Sequence, residues 1–395
     1  MIDPYWNDWL DLLIRWLHVV AGIVWIGTSF YFVALDNHLG RPRERRDVED
    51  GVGGETWEIH GGGFYRISKW TVAPRELPEP LHWFKWEAYA TWLSGFALLV
   101  VLYYFDADTY LVDESVRDIS SAAAITLSLM GLGIAWLLYD LACRVLRSEL
   151  LLGVLLLGLV AAAAYGASEV FSGRAAYLQV GAMLGTIMAG NVLFNIIPAH
   201  WELIRAKEAG RKPDAAPGLE AKRRSVHNNY LTLPVVFTMI SNHFPFTYGH
   251  DRQWLVLVAL VLIGAWVRHF FNLRHAGRTV WWIPVTAAVA VAALAVAIRP
   301  DDGDGGGGPA RAVSAEEAQA IVQQRCVPCH SQTPTREGFE SPPGGVELAT
   351  LEQIESQADA IKAQSVDSKA MPLGNVTGMT NEERQALGSW ISSLE

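Results

Sequence analysis

The chain has 395 residues, of which 51% are hydrophobic and only 18% are charged, and it carries 16 tryptophans. This balance excludes an ordinary soluble globular protein and predicts a chain that places most of its length in a membrane. The net charge of −10 is concentrated in residues 301–395, which hold 15 Asp/Glu against 6 Lys/Arg. Nothing in the charge pattern indicates a nucleic-acid partner.

Apolar runs close to the roughly 20 residues that a helix needs to cross a bilayer recur along the first three quarters of the chain. We predict eight spans, at 9–35, 84–106, 120–143, 149–171, 174–197, 226–246, 251–271 and 280–298. The first run lacks the cleavage site of a signal peptide, so we expect it to remain as a span. The sequence thus predicts an all-α fold with an eight-helix transmembrane bundle in residues 1–299.

The loops between the predicted spans differ in charge. Those after spans 1, 3, 5 and 7 carry 18 Lys/Arg, whereas those after spans 2, 4 and 6 carry three. Because cytoplasmic loops are enriched in Lys and Arg, this difference predicts that both termini lie outside the cytoplasm.

Polar side chains within the spans are costly in a bilayer and mark candidate functional positions. One face of span 1 carries Arg15, His18, Gly22, Trp25 and Ser29. Gly22 lies one turn from His18 and would leave room there for a flat ring. A similar stripe on span 6 consists of Asn228, Thr232, Met239, Asn242 and His243.

The histidines of the spans divide by depth. His18 and His243 fall in the predicted outer half, whereas His82, His200 and His227 lie at the predicted cytoplasmic ends. Each could be an interfacial residue with ordinary hydrogen-bond partners. Alternatively, a pair could ligate a b-type haem, or several could bind a substrate and move protons. Periodicity leaves these alternatives open.

A change in composition separates the end of the chain from the spans. Residues 300–311 are predicted to be a flexible Gly/Asp linker, and residues 312–395 a water-soluble, mostly helical domain. Ser314 and Thr380 each precede a glutamate at capping-box spacing, which predicts the starts of its first and last helices. A middle helix is expected near 349–364.

Within this domain, Cys326-Val-Pro-Cys329-His330 is a C-x-x-C-H sequence, which is typical of covalent haem c attachment. Each thiol can bond one vinyl group of the haem, and His330 can be the proximal iron ligand. A zinc site would need a second ligand pair and a thioredoxin-like site a βαβ context, and the surrounding sequence predicts neither. The third cysteine, Cys143, lies in an apolar run and is expected to be a buried thiol.

The second axial ligand is expected to be a methionine, because no histidine follows His330 and a methionine ligand raises the reduction potential. Met371 lies in a loop with Pro372 directly after it. We favour Met371 over Met379, which precedes the last helix and is expected to pack. The tail is therefore predicted to be a cytochrome c domain with His330 and Met371 on the iron. Its assembly outside the cytoplasm in bacteria agrees with the distribution of Lys and Arg.

Five blocks of sequence carry a resemblance that covers essentially the whole chain. They are LHVVAGIVWIGTSFYF, EIHGGGFYRISKW, LHWFKWEAYATWLSGFALL, SVHNNYLTLPVVFTMISNHFP and MPLGNVTGMTNEER. In these blocks the chain resembles the bacterial membrane-bound urate oxidases that carry a C-terminal cytochrome c domain. The resemblance implies oxidation of urate to 5-hydroxyisourate at the inner membrane, with electrons passing through haem c to the respiratory chain. It does not imply which membrane residues perform the chemistry.

Urate is a flat anion that needs an aromatic face, polar donors and a base, and several residues have suitable chemistry. The candidate catalytic residues are His18, His243 and His227. Candidates for binding urate or a second haem are Arg15, Trp25, Asn228, Asn242, His82 and His200. We expect His18 and His243 to grip a haem b or to flank urate, since a site that reduces an outer haem directly should lie in the outer half. A site in the cytoplasmic half would require an intermediate cofactor.

Two other functions are compatible with the same residues. The chain could be a membrane-anchored cytochrome c subunit that carries electrons in a respiratory complex without urate chemistry, or a sensory protein whose cytochrome domain reports redox state. A haem–copper oxidase is disfavoured, because the sequence has no adjacent histidine pair for copper. The expected electron acceptor is a soluble cytochrome c or a terminal oxidase, since the acidic tail suits a basic partner.

Overall fold

The computed structural model describes residues 4–299, 313–336 and 339–394, and the predicted linker at 300–311 lies outside them. The elements of the first part are α1 (Pro4–His38), α2 (Arg45–Glu49), β1 (Val52–His60), β2 (Gly63–Trp70), α3 (Trp86–Leu99), α4 (Ala107–Tyr110), α5 (Ser121–Val145), α6 (Glu149–Ser168), α7 (Gly173–Asn191), α8 (Ile197–Glu208), α9 (Ala216–Ile240), α10 (Pro245–Tyr248), α11 (Gln253–His275) and α12 (Trp282–Ala297). Those of the second part are α13 (Ala315–Arg325), α14 (Leu351–Ser356), α15 (Ala358–Ile361) and α16 (Asn381–Ser392).

Six stretches of helix in the described residues are long and apolar enough to cross a membrane. They are Tyr5–His38, Trp86–Tyr104, Ser121–Val145, Glu149–Ser168, Gly173–Glu208 and Gln253–His275. The helix α12 is apolar but shorter, at 16 residues. The helix α9 has sufficient length, but its buried face carries Asn228, Asn229 and Thr232. These helices are compatible with a membrane protein, while the eight-span arrangement stays a prediction.

The helix α7 lies at the centre of the bundle and packs against α3, α5, α6 and α9. Two glycines on α7 allow this close approach. A Cβ at Gly181 would collide with Thr238 of α9, and one at Gly190 would collide with Trp136 of α5. Small residues at such positions let helix backbones approach, which is common between membrane helices. A wide π-helical turn, Val192–Ile196, then joins α7 to α8.

The prediction of an all-α fold is wrong for the segment between α1 and α3. Residues 52–70 form an antiparallel β-hairpin in which β1 pairs with β2. Its two-residue turn is Gly61-Gly62, and both glycines have a positive φ, of 57° and 83°. Glycine suits such a turn because it alone adopts this conformation without steric cost, and the turn twist matches that of the strands. The Gly-Gly pair between alternating apolar residues was the signal for this hairpin.

The bundle has two ends that differ in charge. The loops 105–120, 169–172 and 241–252 form one end, which we name the acidic end because it carries Asp106, Asp108, Asp113, Glu114, Asp118, Glu169 and Asp251. The opposite end, which we name the basic end, contains the segment 39–85 and the turns at 146–148, 209–215 and 276–281. The first helix begins at the acidic end, and its C-terminus lies at the basic end.

The C-terminal unit, residues 313–394, has its own hydrophobic core, in which Val322 of α13 and Leu387 of α16 are fully buried. The helix starts agree with the prediction from the sequence. The Ser314 hydroxyl accepts a hydrogen bond from a backbone N–H of α13, and Thr380 forms a complete capping box with Glu383. The predicted middle helix is present as α14 and α15, followed by a π-helical turn, Lys362–Asp367.

Candidate functional site

A cavity of about 320 Å³ opens between α1, the segment preceding α3, the α7–α8 junction and α9. Its size is within the range typical of small-molecule sites. The aromatic and apolar residues of its wall are Trp25, Ile26, Phe32, Trp83, Phe84, Met188, Val192, Ile196 and Ile197. The polar ones are Thr28, Ser29, His82, His200, Ser225, Asn228 and Thr232. We name this the polar cavity, and it lies in the half of the bundle nearer the basic end.

Four of the residues selected from the sequence meet in the polar cavity: Trp25, His82, His200 and Asn228. They come from four separate segments of the chain. Trp83 holds part of this wall together, because its ring stacks on that of Trp201, with centroids 4.7 Å apart, and lies 6.3 Å from the ring of His200. His82 and His200 border the cavity, and each residue also has part of its surface exposed on the outside of the bundle.

A buried hydrogen-bond network fixes the side chain of Asn228. Its Nδ2 donates to the Met188 carbonyl at 3.0 Å, and its Oδ1 accepts from Nδ2 of Asn191 at 2.9 Å. Asn191 is fully buried and also bonds Tyr139 and Arg224, at 2.9 and 3.2 Å. Satisfied polar networks of this kind rigidify a site, since each buried group would be costly without its partner. The amide that faces the cavity is therefore held in one orientation.

The wall of the polar cavity also contains the π-helical turn at 192–196, a feature that is frequent at functional sites. Asn195 in this turn has a buried Nδ2 without a hydrogen-bond partner, and Glu87 of α3 has a similarly buried Oε2. Glu87 precedes Ala88, which packs against Val192 of the cavity wall. Native proteins rarely leave such groups unpaired, so each has spare capacity to bind water or a ligand.

The candidates on the acidic half of α1 lie outside the polar cavity. Arg15 pairs with Asp11 at 2.8 Å. His18 Nδ1 lies 3.0 Å from the Thr91 carbonyl oxygen, which can only accept a hydrogen bond, so this nitrogen carries the proton and Nε2 is left as a free lone pair. A Cβ at Gly22 would make only an ordinary contact with Thr91 of α3, at 3.9 Å, and the glycine against which the His18 ring packs closely is Gly95.

The candidates after α9 lie at the acidic end. Asn242 and His243 belong to a short 3₁₀ turn, Ser241–His243, and the buried Oδ1 of Asn242 has no partner. Among the described residues, no hydrogen bond or ring contact joins His243 to His18. The proposed pairing of these two histidines stays a prediction.

His227 faces a second cavity, of about 700 Å³, between α5, α6, α7 and α9. The walls of this cavity are almost entirely apolar. The two ring nitrogens of His227 are both engaged, Nδ1 with the Tyr139 hydroxyl at 2.8 Å and Nε2 with a Glu149 carboxylate oxygen at 3.1 Å. This arrangement leaves no lone pair of His227 free for iron, so the residue does not fit the role of a haem ligand here.

The C-x-x-C-H sequence forms a tight turn after α13. The backbone N–H groups of Cys329 and His330 both donate to the Cys326 carbonyl, at 3.1 and 2.9 Å. The two thiols are free, and burial raises the pKa of Cys326 to about 11. His330 Nδ1 lies 3.0 Å from the Val346 carbonyl oxygen, so Nδ1 carries the proton and Nε2 is available to an iron. These residues fit the covalent attachment and proximal ligation of a haem c.

The two methionine candidates differ in environment. Met379 is 3% exposed in the core of the C-terminal unit, where it packs as the sequence suggested. Met371 is only partly buried, in a loop whose backbone is held at both sides. Its N–H donates to the Gln364 carbonyl at 2.9 Å, and its carbonyl accepts from Arg384 at 2.6 Å. The Met371 thioether is therefore on a fixed loop and outside the packed core, which suits an axial ligand.

The Met371 loop contacts the acidic end of the bundle. Lys369 pairs with Asp251 at 3.0 Å. Gly249, in the loop after α10, lies so close to the Ser368 carbonyl that a Cβ would collide with it. The same is true of Gly374 against the Thr109 carbonyl. The C-terminal unit is thus docked on the bundle through the loop that carries Met371.

The apolar helices and the cavity among them define a helical protein of the membrane-compatible class, with a small cysteine-bearing unit at its C-terminus. Residues 4–299 match the family model described as urate oxidase, N-terminal, and since this is most of the chain, the chain belongs to that family. It is therefore a urate-oxidase-related protein, and the family implies urate as the substrate. No curated protein and no solved structure matches the chain.

Sequence reasoning missed several residues of the polar cavity, among them Phe32, Trp83 and Ser225. Trp83 stood in the quoted block LHWF, between two other cavity residues, and that cluster of rings beside a histidine was the available signal. No periodic signal could have joined it to Trp201, which is more than a hundred residues away in the chain.

Proposed function

We propose that the protein oxidises urate to 5-hydroxyisourate in the polar cavity. The observation that carries the proposal is that this cavity, which has both aromatic and polar walls, lies within the residues that match the urate oxidase family. The overall reaction adds one water to urate and releases two electrons and two protons. A site for it must hold a flat anion, accept protons and pass electrons on.

The cavity wall offers side chains for each binding task. Trp25 and Trp83 provide aromatic faces for a purine. Asn228, held by its buried network, offers an amide to the ring edge, and Thr232 lies one turn further along the same face. His82 and His200 border the cavity and are the candidate bases, because a neutral imidazole can accept a proton from a bound substrate.

The proposed exit for the electrons is the C-terminal unit, where Cys326, Cys329, His330 and Met371 would hold a haem c. When bound, such a group supplies reversible one-electron chemistry, which suits the removal of two electrons in succession. The free thiols, the available Nε2 of His330 and the fixed Met371 loop support this assignment.

The polar cavity and the docked C-terminal unit lie toward opposite ends of the bundle, which supports an intermediate redox group such as a haem b. His18 lies 11 residues before Ser29 on α1, and His243 lies 11 residues after Thr232 beyond α9. Trp25, which also borders the cavity, is seven residues from His18, so at a rise of about 1.5 Å per residue His18 lies about 10 Å from it toward the acidic end. His243 lies beyond the C-terminus of α9, on the same side. The free Nε2 of His18 fits the role of a ligand to that group.

We further propose that residues 4–299 lie in the inner membrane of a bacterium, with the acidic end and the C-terminal unit on the periplasmic side. The six apolar helices and the excess of Lys/Arg at the basic end support this orientation. Urate would then reach the cavity from the cytoplasmic side. The acidic C-terminal unit suits a basic electron acceptor, such as a soluble cytochrome c or a docking face of a terminal oxidase.

The test is to add urate to the purified full chain and to follow reduction of haem c by its absorbance. Wild-type protein should be reduced by urate, and His200→Ala should lower the rate by about 10²–10⁴-fold if this imidazole is the base. His60→Ala, at the exposed end of β1, is the matched control and should leave the rate unchanged. If urate leaves the wild-type spectrum unchanged while a quinol reduces it, the chain is an electron carrier and the proposal is wrong.

A further inference from the structure

The β-hairpin at 52–70 runs back along α1, toward the acidic end. Near the open end of the hairpin, Glu55 exchanges two backbone hydrogen bonds with Gly40, just beyond α1. Closer to its tip, the Tyr31 hydroxyl donates to Glu58 at 2.8 Å. Moving from Glu55 to Glu58 along the strand therefore means moving from residue 40 back to residue 31 along the helix. The tip at 59–64 lies beside the last third of α1.

The two faces of the hairpin differ in what they contact. Glu58 faces α1, as its bond with Tyr31 shows. Ile59 pairs with Phe64 across the strands and points to the other face, because side chains alternate along a strand. These two side chains are 73% and 74% exposed, and Trp57 on the same face is 54% exposed. The most exposed part of the hairpin is thus an apolar patch, which we name the tip patch.

Further apolar surface lies on α1, farther from its C-terminus than the tip patch. Along α1 the side chains of Val20, Ile23 and Val24 are 47%, 66% and 44% exposed. These belong to the long apolar helix that the hairpin lies against. An apolar strand tip in water invites association, and proteins normally protect it. Beside an apolar helix at the boundary of a bilayer, the same residues would be in a favourable environment.

Cationic side chains accompany the hairpin. Arg45 of α2 pairs with Glu49 at 2.9 Å, and Arg46 and Arg75 pair with Asp50 at 3.8 and 3.1 Å. The side chains of these arginines remain 93%, 88% and 71% exposed, so they can also contact an anionic partner. Arginines at this height match the anionic headgroups of a cytoplasmic leaflet, and Trp57 has the amphipathic ring that favours the same layer.

We propose that the tip patch, Trp57, Ile59 and Phe64, inserts into the cytoplasmic leaflet at the boundary between headgroups and acyl chains, as a second membrane anchor beside α1. The ligand is the lipid leaflet. The inference rests on the proposed membrane location and is independent of urate chemistry. In this arrangement the β-hairpin fixes the depth of α1 in the bilayer. It thereby also fixes the depth of Trp25 and Ser29, which border the polar cavity.

The experiment uses the full chain with the variants Ile59→Cys or Phe64→Cys, labelled with an environment-sensitive fluorophore and reconstituted into vesicles of zwitterionic and anionic lipids. Quenchers are placed either at the headgroup or along the acyl chain. Val20→Cys on α1 is the control for a bilayer-embedded position. Lys212→Cys, in the exposed turn between α8 and α9, is the control for an aqueous position.

We expect blue-shifted emission at 59 and 64, with strong quenching by the headgroup and upper-chain quenchers and weak quenching by deep ones. The labels at positions 59 and 64 are compared with those at 20 and 212. If they are as weakly quenched as the label at 212, while the label at 20 is quenched by the acyl-chain quenchers, the tip patch is in water and the inference is wrong. If 59 cross-links between chains and resists all lipid quenchers, a second copy covers the patch, which also overturns the inference. If the label at position 20 is not quenched by any lipid quencher, the proposed membrane location of the bundle is wrong. This outcome differs from one in which only the tip patch is outside the bilayer.

Discussion

The helical bundle and the C-terminal unit build their candidate sites in opposite ways. In the bundle, Trp25, His82, His200 and Asn228 come from four segments and meet only because the helices pack as they do. In the C-terminal unit, the attachment residues lie within five consecutive positions, 326–330, and one tight turn presents them. The polar cavity therefore depends on the tertiary structure of the whole bundle. The candidate haem site depends on the local backbone geometry at 326–330 and on the loop that carries Met371.

The largest expected effect is the loss of covalent haem from the C-x-x-C-H turn at 326–330. Cys326→Ala together with Cys329→Ala should abolish covalent haem, as measured by a pyridine haemochrome assay of the denatured protein. Thermal unfolding of the bundle should be unaffected, because its core lies elsewhere. Cys143→Ala is the matched control: it removes the remaining thiol and should retain the haem. Covalent haem in the double variant would contradict the assigned attachment.

The polar cavity should be sensitive to substitution of a residue that does not line it, Asn191. Asn191→Leu leaves Asn228, Tyr139 and Arg224 each short of a partner, and we expect a loss of roughly 2–4 kcal/mol in the free energy of unfolding. Weaker urate binding should accompany it, because the Asn228 amide is no longer oriented. The measurements are thermal unfolding and urate titration in detergent.

Asn272→Leu is the control for the Asn191 substitution, because the buried Oδ1 of Asn272 already lacks a partner. It should cost less stability than Asn191→Leu. Equal stability losses in the two variants would show that the network around Asn228 has no special role.

The junction between the two regions can be tested by adding one methyl group. Gly249→Ala places a Cβ against the Ser368 carbonyl, and a strain of about 1.4 kcal/mol would lower the ratio of docked to undocked units about tenfold. Reduction of the C-terminal unit by urate should slow, while its reduction by a small chemical reductant should not. Gly133→Ala, where nothing lies within 4 Å, is the control. If both variants transfer electrons at the wild-type rate, the contact is not needed for transfer.

The smallest predicted effect concerns acid stability of the C-terminal unit. Burial raises the pKa of Glu383, but the hydrogen bonds from Arg325 and the Thr380 backbone N–H, together with the nearby charges of Arg325 and Arg384, outweigh burial. The pKa therefore lies below its ordinary value of 4.5. The folded state thus binds this proton less readily than the unfolded state. Its contribution to stability is present above about pH 4.5 and is lost as the pH falls through the folded pKa.

Glu383→Gln should therefore lower stability at pH 7 by about 1–2 kcal/mol and flatten the acid dependence of unfolding. The measurement is unfolding of the C-terminal unit within the full chain, followed by circular dichroism at pH 3 to 7. Glu352→Gln, on the exposed side of α14, is the control. An unchanged acid dependence in Glu383→Gln would show that the pair with Arg325 does not stabilise the unit.

The sequence predicted what depends on local pattern. The predicted apolar runs are helical, Ser314 and Thr380 are the N-caps of α13 and α16, and Met379 packs in the core of the C-terminal unit. Grouping by helix face placed His18 with Arg15, but each found a partner nearer in space, Thr91 and Asp11. The contact with Thr91 depends on which helices are neighbours, whereas Asp11 lies four residues before Arg15 on the same helix. The hairpin was missed because a search for apolar runs is insensitive to alternating strands, although its Gly-Gly turn stood in the sequence.

The wide turn at 192–196 has a consequence for how this site could have arisen and how it can be lost. A π-helical turn accommodates one residue more than a regular helix, and each residue turns a helix by about 100°. Removing a single residue there would restore a regular turn between α7 and α8, and it would remove the local widening at which Val192 and Ile196 border the polar cavity. A one-codon deletion would thus leave a well-formed bundle in which the polar cavity has a different shape along this wall.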